Sequence, residues 1–587
     1  MNIIGYFQGI DPAAALVRDG ELVAFCEEER LIRYKHAPNM FPLRSVEYCL
    51  KSQDLTLRDI DAFAMGWDAP AYTDGRMAAF YAKANAANPP DAGTLAWQKR
   101  NVGLFHADGL TTKLRSALYK HFGDGHEMKL LFEPHHRSHA ATAFFLSPHE
   151  EALVFVIDGS GDNHCATLWR GKGTELALLH AVEIPHSLGW FYAAMTEYVG
   201  FDAYDGEYKV MGLAAYGRPN ARFAKAINEI VKPGPLGFDY VVDPKYIHHG
   251  KHTFSERFTD AMADLVGLPP RMGPKPITKE HEDLAYETQM ALEEHAIRLV
   301  NHFAKKTGLK KLCISGGVAL NVKMNSRIHR EGLFDDIFIF PIPSDSGCGL
   351  GAAIAHSVRT TGKRPKPLRH VYLGPKYEDA ELELQLSSCG LAYEKHADIA
   401  EPVADLLTQG KVVAWVQGGL EGGPRALGAR SILADPRDVK ARDRVNGAIK
   451  FREYWRPFCP SMAEEAAPKY LEKPASAPFM IIAFNATDAA RKEAPAIVHV
   501  DGTVRVQTVT EDTNPPYYRL LKAFELRTGV PILLNTSFNI KGEAMICSPR
   551  DALRTFFSTG IDALAIGSFL VQKPKKPVEI KPEEVLR

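Results

Sequence analysis

His135 and His139 stand four residues apart in LFEPHHRSHAATAFF, a spacing that puts both imidazoles on one face of a helix. Two imidazoles so placed can hold one cation. The strand LVFVID follows and ends in Asp158-Gly159-Ser160-Gly161-Asp162, a glycine turn whose backbone N–H groups can face a phosphate. A carboxylate beside a phosphate repels it unless a metal lies between them. The sequence therefore predicts a metal shared by His135, His139 and Asp158. Taken singly, an HxxxH pair is as readily a surface helix, and a DGSGD run an ordinary β-turn. Their adjacency is what makes the chemistry.

Two later stretches repeat the theme. KLCISGGVALN reads as a buried strand running into Gly316-Gly317 and a helix from about Asn321, a plausible nucleotide cradle. IFIFPIPSDSGCGLGAAIAHS places Asp345 after a strand and before Gly347, Gly349 and Gly351, which run into a helix. Asp345 thus takes the same kind of position as Asp158. Two histidines and two strand-end carboxylates make a mixed N/O site suited to Fe(II), Mn or Zn. In DGEYKVMGLAAYG, Glu207 and Lys209 precede a Gly/Ala segment that permits close backbone approach to a ligand or to another helix.

A second group is basic. GGLEGGPRALGARSILADPR carries Arg425 and Arg430, NGAIKFREYWRPF carries Lys450, Arg452 and Arg456, and HVDGTVRVQTV carries Arg505, before the strand PILLNTSFN. Arginines among glycines in turns after strands suit bidentate anion binding. Five such arginines in a chain of formal net charge −1 favour a small phosphorylated ligand over nucleic acid.

These residues need elements to position them. The chain of 587 residues is too long for one core, so two or more large domains are expected. NIIGYFQ reads as a strand, and Asp19-Gly20 between apolar runs reads as a hairpin. Strand, turn and two further strands recur over 152–180, a weak repeat that suggests the actin/sugar-kinase class of ATP fold. EEERLIRYKH (27–36) is a dense charge run, expected as a solvated face. Residues 40–125 read as a mostly helical insertion, and ITKEHEDLAYETQMALEEHAIRLVNHFAKK as a long amphipathic helix. RTTGKRPKPLRH (359–370) marks the domain boundary. The opening residues lack a basic n-region and apolar core, so no signal peptide is expected. Eight cysteines without a CxxC pair fit a cytoplasmic protein and argue against a cysteine zinc site.

Taken together, DGELVAFCEEERLIRYKH, HHRSHAATAF, IDGSGD, EYKVMGLAAYG, SGGVALN, PSDSGCGLGAA, GPRALGARSILADPR, NGAIKFREYWRPF and LNTSFNIKGE resemble the O-carbamoyltransferases of nodulation-factor, cephamycin and nebramycin-type biosynthesis. The resemblance covers nearly the whole chain. It implies an α/β protein with a Kae1-like, duplicated actin-like ATPase domain over 1–357, a linker over 358–371, and a YrdC-like α/β domain over 372–587. It implies that carbamoyl phosphate and ATP give carbamoyl adenylate and pyrophosphate, the carbamoyl group then passing to a hydroxyl of a small sugar-like or polyketide acceptor. It places a metal, iron first, on His135, His139, Asp158 and Asp345, with Mg accompanying ATP. It places the adenylate on Gly159, Gly317 and Asn321, and Gly316 and Lys209 join that site from the reading above. Carbamoyl phosphate falls on Arg425, Lys450, Arg456, Arg505, Asn535 and Ser537.

One departure matters. The family carries His-Asp-Ser at the first turn, where this chain has Ile10-Asp11-Pro12. Ile10 cannot take a proton, so Asp11, His36 or His164 is left as the acceptor base. The rival readings are a threonylcarbamoyl-type tRNA-modifying enzyme, disfavoured by the charge balance, and an actin-like sugar kinase, which would release ADP. No nucleic-acid or membrane partner is expected. The assembly state, a homodimer among the options, is open.

Overall fold

The computed structural model describes residues 1–123, 127–248, 256–450, 453, 455–456 and 458–573. Arg452 of the basic group lies outside the described residues. The first sheet comprises β1 (Asn2–Phe7), β2 (Ala13–Arg18), β3 (Glu21–Glu27), β4 (Ala62–Met65) and β5 (Leu130–Phe132) in the order β3-β2-β1-β4-β5. β1–β3 form an antiparallel meander and β4 and β5 add in parallel. Asp19 and Gly20 join β2 to β3 with φ of 51° and 89°, the pair of left-handed residues a two-residue hairpin turn requires.

The second sheet comprises β6 (Glu151–Gly161), β7 (His164–Lys172), β8 (Glu175–Glu183), β9 (Lys311–Ser315) and β10 (Asp336–Ile339). Its order, β8-β7-β6-β9-β10, and its strand directions repeat those of the first sheet. The repeat suspected from the sequence is thus a repeat of topology. Each sheet's fifth strand leads toward a buried helix: α1 (His135–Phe145) after β5, and α2 (Cys348–Thr361) after β10. The two helices pack together, and small residues set how closely. A Cβ on Gly351 would lie 2.0 Å from the Ser138 carbonyl oxygen, and one on Gly5 of β1 would lie 2.0 Å from the Gly349 oxygen. That close approach brings the N-termini of α1 and α2 to one point.

A third, mixed sheet lies beyond residue 393. Its order across the sheet is Glu394–Lys395, Phe569–Gln572, Ala563–Ile566, Val413–Val416, Arg430–Ala434, Ile532–Ser537, Cys459–Ala463 and Gln507–Val509. The chain is therefore a mixed α/β protein. Among the described residues no helix is long and apolar enough to cross a membrane.

Two sequence expectations need correction. The stretch 40–125 is not uniformly an insertion, because Ala62–Met65 pairs in parallel with β1 inside the first sheet. The inserted helices are Ala69–Thr73, Arg76–Ala87, Ala92–Leu104 and Ala107–Phe122. The charge run is not a solvated face either: Glu27, Glu28, Glu29 and Arg30 are all buried. Glu27 accepts from the Gly423 N–H at 2.6 Å, and the Arg30 guanidinium donates to the Gly423 carbonyl at 2.9 Å. Glu28 accepts from the N–H groups of Arg44 and Ser45, at the start of helix Leu43–Lys51. A buried charge must be paired and hydrogen-bonded, and here the partner of Glu27 and Arg30 lies nearly four hundred residues away.

Candidate functional site

α1, β6 and the turn Asp345–Gly347 that leads into α2 supply the first cluster. His135 and His139 lie one turn apart on α1, and both are fully buried. Their Nε2 atoms are 3.2 Å apart. Asp158 Oδ2 lies 3.2 Å from His135 Nε2 and 3.5 Å from His139 Nε2. Asp345 Oδ1 lies 3.5 and 3.8 Å from the same two atoms. The four side chains expected to share a metal thus converge. Separations of this size are those between atoms bound to one cation at about 2.0–2.3 Å.

The structure adds a fifth group that the sequence reading passed over. Cys348, in the first turn of α2, brings its Sγ to 3.2 Å from His139 Nε2 and 3.7 Å from His135 Nε2. Its offset of three from Asp345 was the available signal. The ligand atoms of His135, His139, Asp345 and Cys348 all fall within 4.8 Å of one another.

The surroundings orient the donors. His135 Nδ1 lies 3.1 Å from the Gly66 carbonyl, so an N–H there leaves Nε2 free for the cluster. Asp162 accepts from the His135 backbone N–H at 2.8 Å, and burial pushes its carboxyl up to about 6. Burial opposes charge on His135 and His139, yet the acidic groups around them raise both pKa values. Burial likewise opposes charge on Asp158, and the two imidazoles outweigh it and lower its pKa. The set holds positive charge in a water-poor place, which is what a cation would supply.

The DGSGD run differs from its expected form. β6 continues to Gly161, and the reversal falls at Asp162, with φ of 51°, and Asn163. Gly161 packs against the His135 ring, where a Cβ would lie only 1.9 Å away. The Gly317 N–H donates to Asp158 Oδ1 at 3.1 Å, so it is already engaged. Asp345 is also not the positional twin of Asp158. Its place before α2 matches that of His135 at the start of α1, whereas Asp158 lies within β6, the first strand of its sheet.

One cavity of about 1310 Å³ collects most of the remaining candidates. Asp11, Asp158, Gly159, Asp345, Lys209, Gly317 and Asn321 line it from the first part of the chain. Arg425, Lys450, Arg456, Arg505, Asn535 and Ser537 line it from the second. Gly316 is not on its wall; with φ of 94°, its missing Cβ leaves room for the Ile157 carbonyl. Asn321 caps helix Val322–Arg330 by accepting from the Met324 N–H at 2.9 Å, and its amide also pairs with Gln289. Lys209 lies over the rings of Phe201 and Tyr208 at 5.4 and 5.9 Å.

On the basic side, Arg425 is half-buried, and its Nε has no partner among the described residues. Burial first, then the neighbouring Arg505, lowers its pKa to about 9. Arg505 contacts Cys459 Sγ at 2.6 Å, and Arg456 stacks 4.5 Å over Tyr208. Lys450 donates to Ser537 Oγ at 3.2 Å and to Asn539 Oδ1 at 2.7 Å. Asn535 donates to the Ala426 carbonyl and to Ser461 Oγ, and its buried Oδ1 has no partner among the described residues. Three guanidiniums share this wall with a single ion pair, Arg456 to Glu453 at 3.6 Å, among the contacts described here, so an anion that joins them relieves the remaining repulsion.

The three candidates for acceptor base separate cleanly. His36 Nδ1 lies 2.7 Å from Asp11 Oδ1, its Nε2 lies 3.4 Å from Asp205, and all three residues line the cavity. Burial would lower the His36 pKa, but the hydrogen bonds to Asp11 and Asp205 hold it up to about 10. His164 instead packs on His136 at 5.7 Å, behind the cluster, and burial drops it to about 4.

Comparison with known proteins decides the class. Residues 3–354 match the carbamoyltransferase N-terminus model and residues 404–573 the carbamoyltransferase C-terminus model. The chain belongs to the carbamoyltransferase family. It is 38% identical over 574 residues to nodulation protein NolNO of Sinorhizobium fredii, covering 96% of this chain and 79% of that one. It is 41% identical over 446 residues to nodulation protein NolO of Bradyrhizobium diazoefficiens, covering 75% and 78%. An uncharacterized protein of Synechocystis sp. is 36% identical over 613 residues, covering 98% and 97%. The solved T. kodakarensis HypF overlays 62% of this carbamoyltransferase and 48% of its own chain at 14% identity, with a TM-score of 0.31, too slight a likeness to argue from.

Proposed function

We propose that this carbamoyltransferase is ATP-dependent and works through carbamoyl adenylate, within a duplicated actin-like domain and a YrdC-like domain. One observation carries the reading: a single cavity is lined by Asp158 and Asp345, with the His135 and His139 imidazoles buried behind them, and also by Arg425, Arg456 and Arg505. Carbamoyl phosphate is an anion, and Arg425, Arg505, Arg456 and Lys450 are the groups suited to hold it. Water cleaves it there to carbamate and phosphate. A carbamate oxygen then attacks the α-phosphorus of ATP, expelling pyrophosphate and leaving the mixed anhydride. An acceptor hydroxyl attacks the carbamoyl carbon, its proton leaves to a base, and AMP departs.

His135, His139, Asp158 and Asp345, with Cys348 beside them, would hold Fe(II), Mn or Zn, with Mg accompanying ATP. Such a cation supplies charge neutralisation for a phosphate and polarisation of a carbonyl. Asp11, with His36 held against it at 2.7 Å, is the proton acceptor this reading favours. Closure of the cavity excludes water from the adenylate, which hydrolysis would waste.

The test incubates the protein with ATP, carbamoyl phosphate and a panel of alcohols. Pyrophosphate, AMP and a product heavier by one carbamoyl group are expected. ADP released without pyrophosphate would make the protein a kinase and overturn the reading.

A further inference from the structure

The buried charge run Glu27–Arg30 reaches two places at once. On one side it captures both backbone groups of Gly423: the N–H donates to Glu27 Oε1 at 2.6 Å, and the carbonyl accepts from Arg30 Nη2 at 2.9 Å. Gly423 has a φ of 91°, and a Cβ there would lie 2.8 Å from the Pro341 carbonyl oxygen, so the turn is closed to other residues. Arg425 stands two residues later. The fully buried Glu421 holds the far end of the same loop, accepting from the N–H groups of Leu427, Ala429 and Arg430 at 2.8, 3.2 and 3.2 Å. Arg425 is thus carried on a loop pinned at both ends by buried carboxylates.

On the other side, Arg30 Nη1 lies 3.0 Å from Glu29 Oε1, and Glu29 Oε2 accepts from the His36 backbone N–H at 2.7 Å. His36 and Asp11 both have a left-handed φ, of 62° and 58°. Residues other than glycine keep that conformation only where their surroundings over-determine it. Here Glu29 takes the His36 N–H, the Asp11 N–H donates to the His36 carbonyl at 3.1 Å, and the two side chains meet at 2.7 Å. The contacts run without a break from Asp11 through His36, Glu29 and Arg30 to Gly423. Arg30 can grip Glu29 and Gly423 together because a guanidinium is a planar fork, which an ammonium is not. Glu29 and Arg30 are both buried, and a buried link is costly to leave unmade.

We infer that Glu29 and Arg30 are positioning residues that tie the Arg425 loop to His36, so that binding of a phosphoryl anion and placement of the proton-accepting pair are set together. The inference rests on the reading above, which gives Arg425 to carbamoyl phosphate and Asp11 with His36 to the acceptor's proton. It adds that the two ends of the reaction are joined through one buried ion pair.

The test uses the full chain and carbamoyl phosphate alone, without ATP or an acceptor. Calorimetric titration gives the affinity and, separately, the fraction of competent sites. Protein labelled with 13C-histidine gives the His36 Cε1–H signal, identified by its loss in His36→Gln. Arg30→Lys should weaken binding about tenfold, the worth of one charge-assisted hydrogen bond, and Glu29→Gln severalfold. Saturating carbamoyl phosphate should move the His36 signal in wild type and leave it in place in both variants. A role in stability alone would lower the competent fraction while affinity and the His36 response stayed as in wild type, and that would overturn the inference. Weaker binding with the His36 response intact would make Arg30 a direct contact of the anion and overturn it too. Should thermal melting show Arg30→Lys unfolded, Glu29→Gln decides alone, since it removes a charge with little change of shape. No binding to wild type would sink the arginine wall and the inference with it, whereas binding that leaves the wild-type His36 signal unmoved would sink the inference alone.

Discussion

The two walls of the cavity hold charge in different ways. The first backs onto a cluster closed on itself: behind Asp158 and Asp345 on the wall lie the buried His135 and His139, with the His–His and His–Asp separations all within 3.2–3.8 Å. The second is more open: among the described residues Arg425 has an Nε without a partner and faces Arg505 and Arg456, and Glu453, 3.6 Å from Arg456, offsets only part of that charge, so an arriving anion is favoured there. A closed set is pre-organised for a resident ion, and an open one for a ligand that comes and goes. That contrast fits a site that keeps its metal through turnover and exchanges its phosphate.

The largest effect that would sharpen the comparison lies on the closed wall. His139→Ala should cut transfer by about a thousandfold or more, as loss of a charge-stabilising group in a closed site does, and should strip the metal. Full activity in the metal-free variant would break the contrast. On the open wall, Arg505→Ala should raise the apparent KM for carbamoyl phosphate by about 10–100-fold, the worth of one charge-assisted hydrogen bond. An unchanged KM would remove the arginine wall from phosphate binding.

A smaller effect concerns the sulfur that joins the closed wall. Cys348→Ser should leave the fold intact and weaken metal retention against a chelator by about tenfold, with selectivity moving toward harder cations. Retention and selectivity unchanged would leave Cys348 a spectator. The smallest effect is a pH dependence. His36 is held up to about 10 against an ordinary 6.5, so folding tightens its proton. That stabilisation is full below about 6.5 and is lost as pH rises through about 10. The thermal-melting advantage of wild type over His36→Gln should therefore shrink between those pH values; a constant difference would mean that Asp11 and Asp205 do not hold the proton there.

What the sequence disclosed follows the range of the interactions. The HxxxH spacing, the Asp19-Gly20 turn and the capping role of Asn321 are local, and each is visible within a few residues. The convergence of Asp345 on the histidines was legible because both lie at the entrances to glycine- or histidine-marked helices. Cys348 was visible three residues on, but the absence of a CxxC pair hid it, a rule for cysteine-only sites that a mixed cluster does not obey. The burial of Glu27–Arg30 was hidden for another reason, since its partner Gly423 is 393 residues from Arg30. The need for a bare Gly161 against His135 was hidden because it exists only in three dimensions.

The contrast between a resident cation and a visiting anion can be read from metal content alone. Wild type, Arg505→Ala and His139→Ala, purified alike and analysed by mass spectrometry of bound metals, form the decisive set. The account predicts a transition metal in near-stoichiometric amount in the first two and its loss in the third. Equal metal in all three, or none in wild type supplied with Fe(II), Mn or Zn, would contradict it.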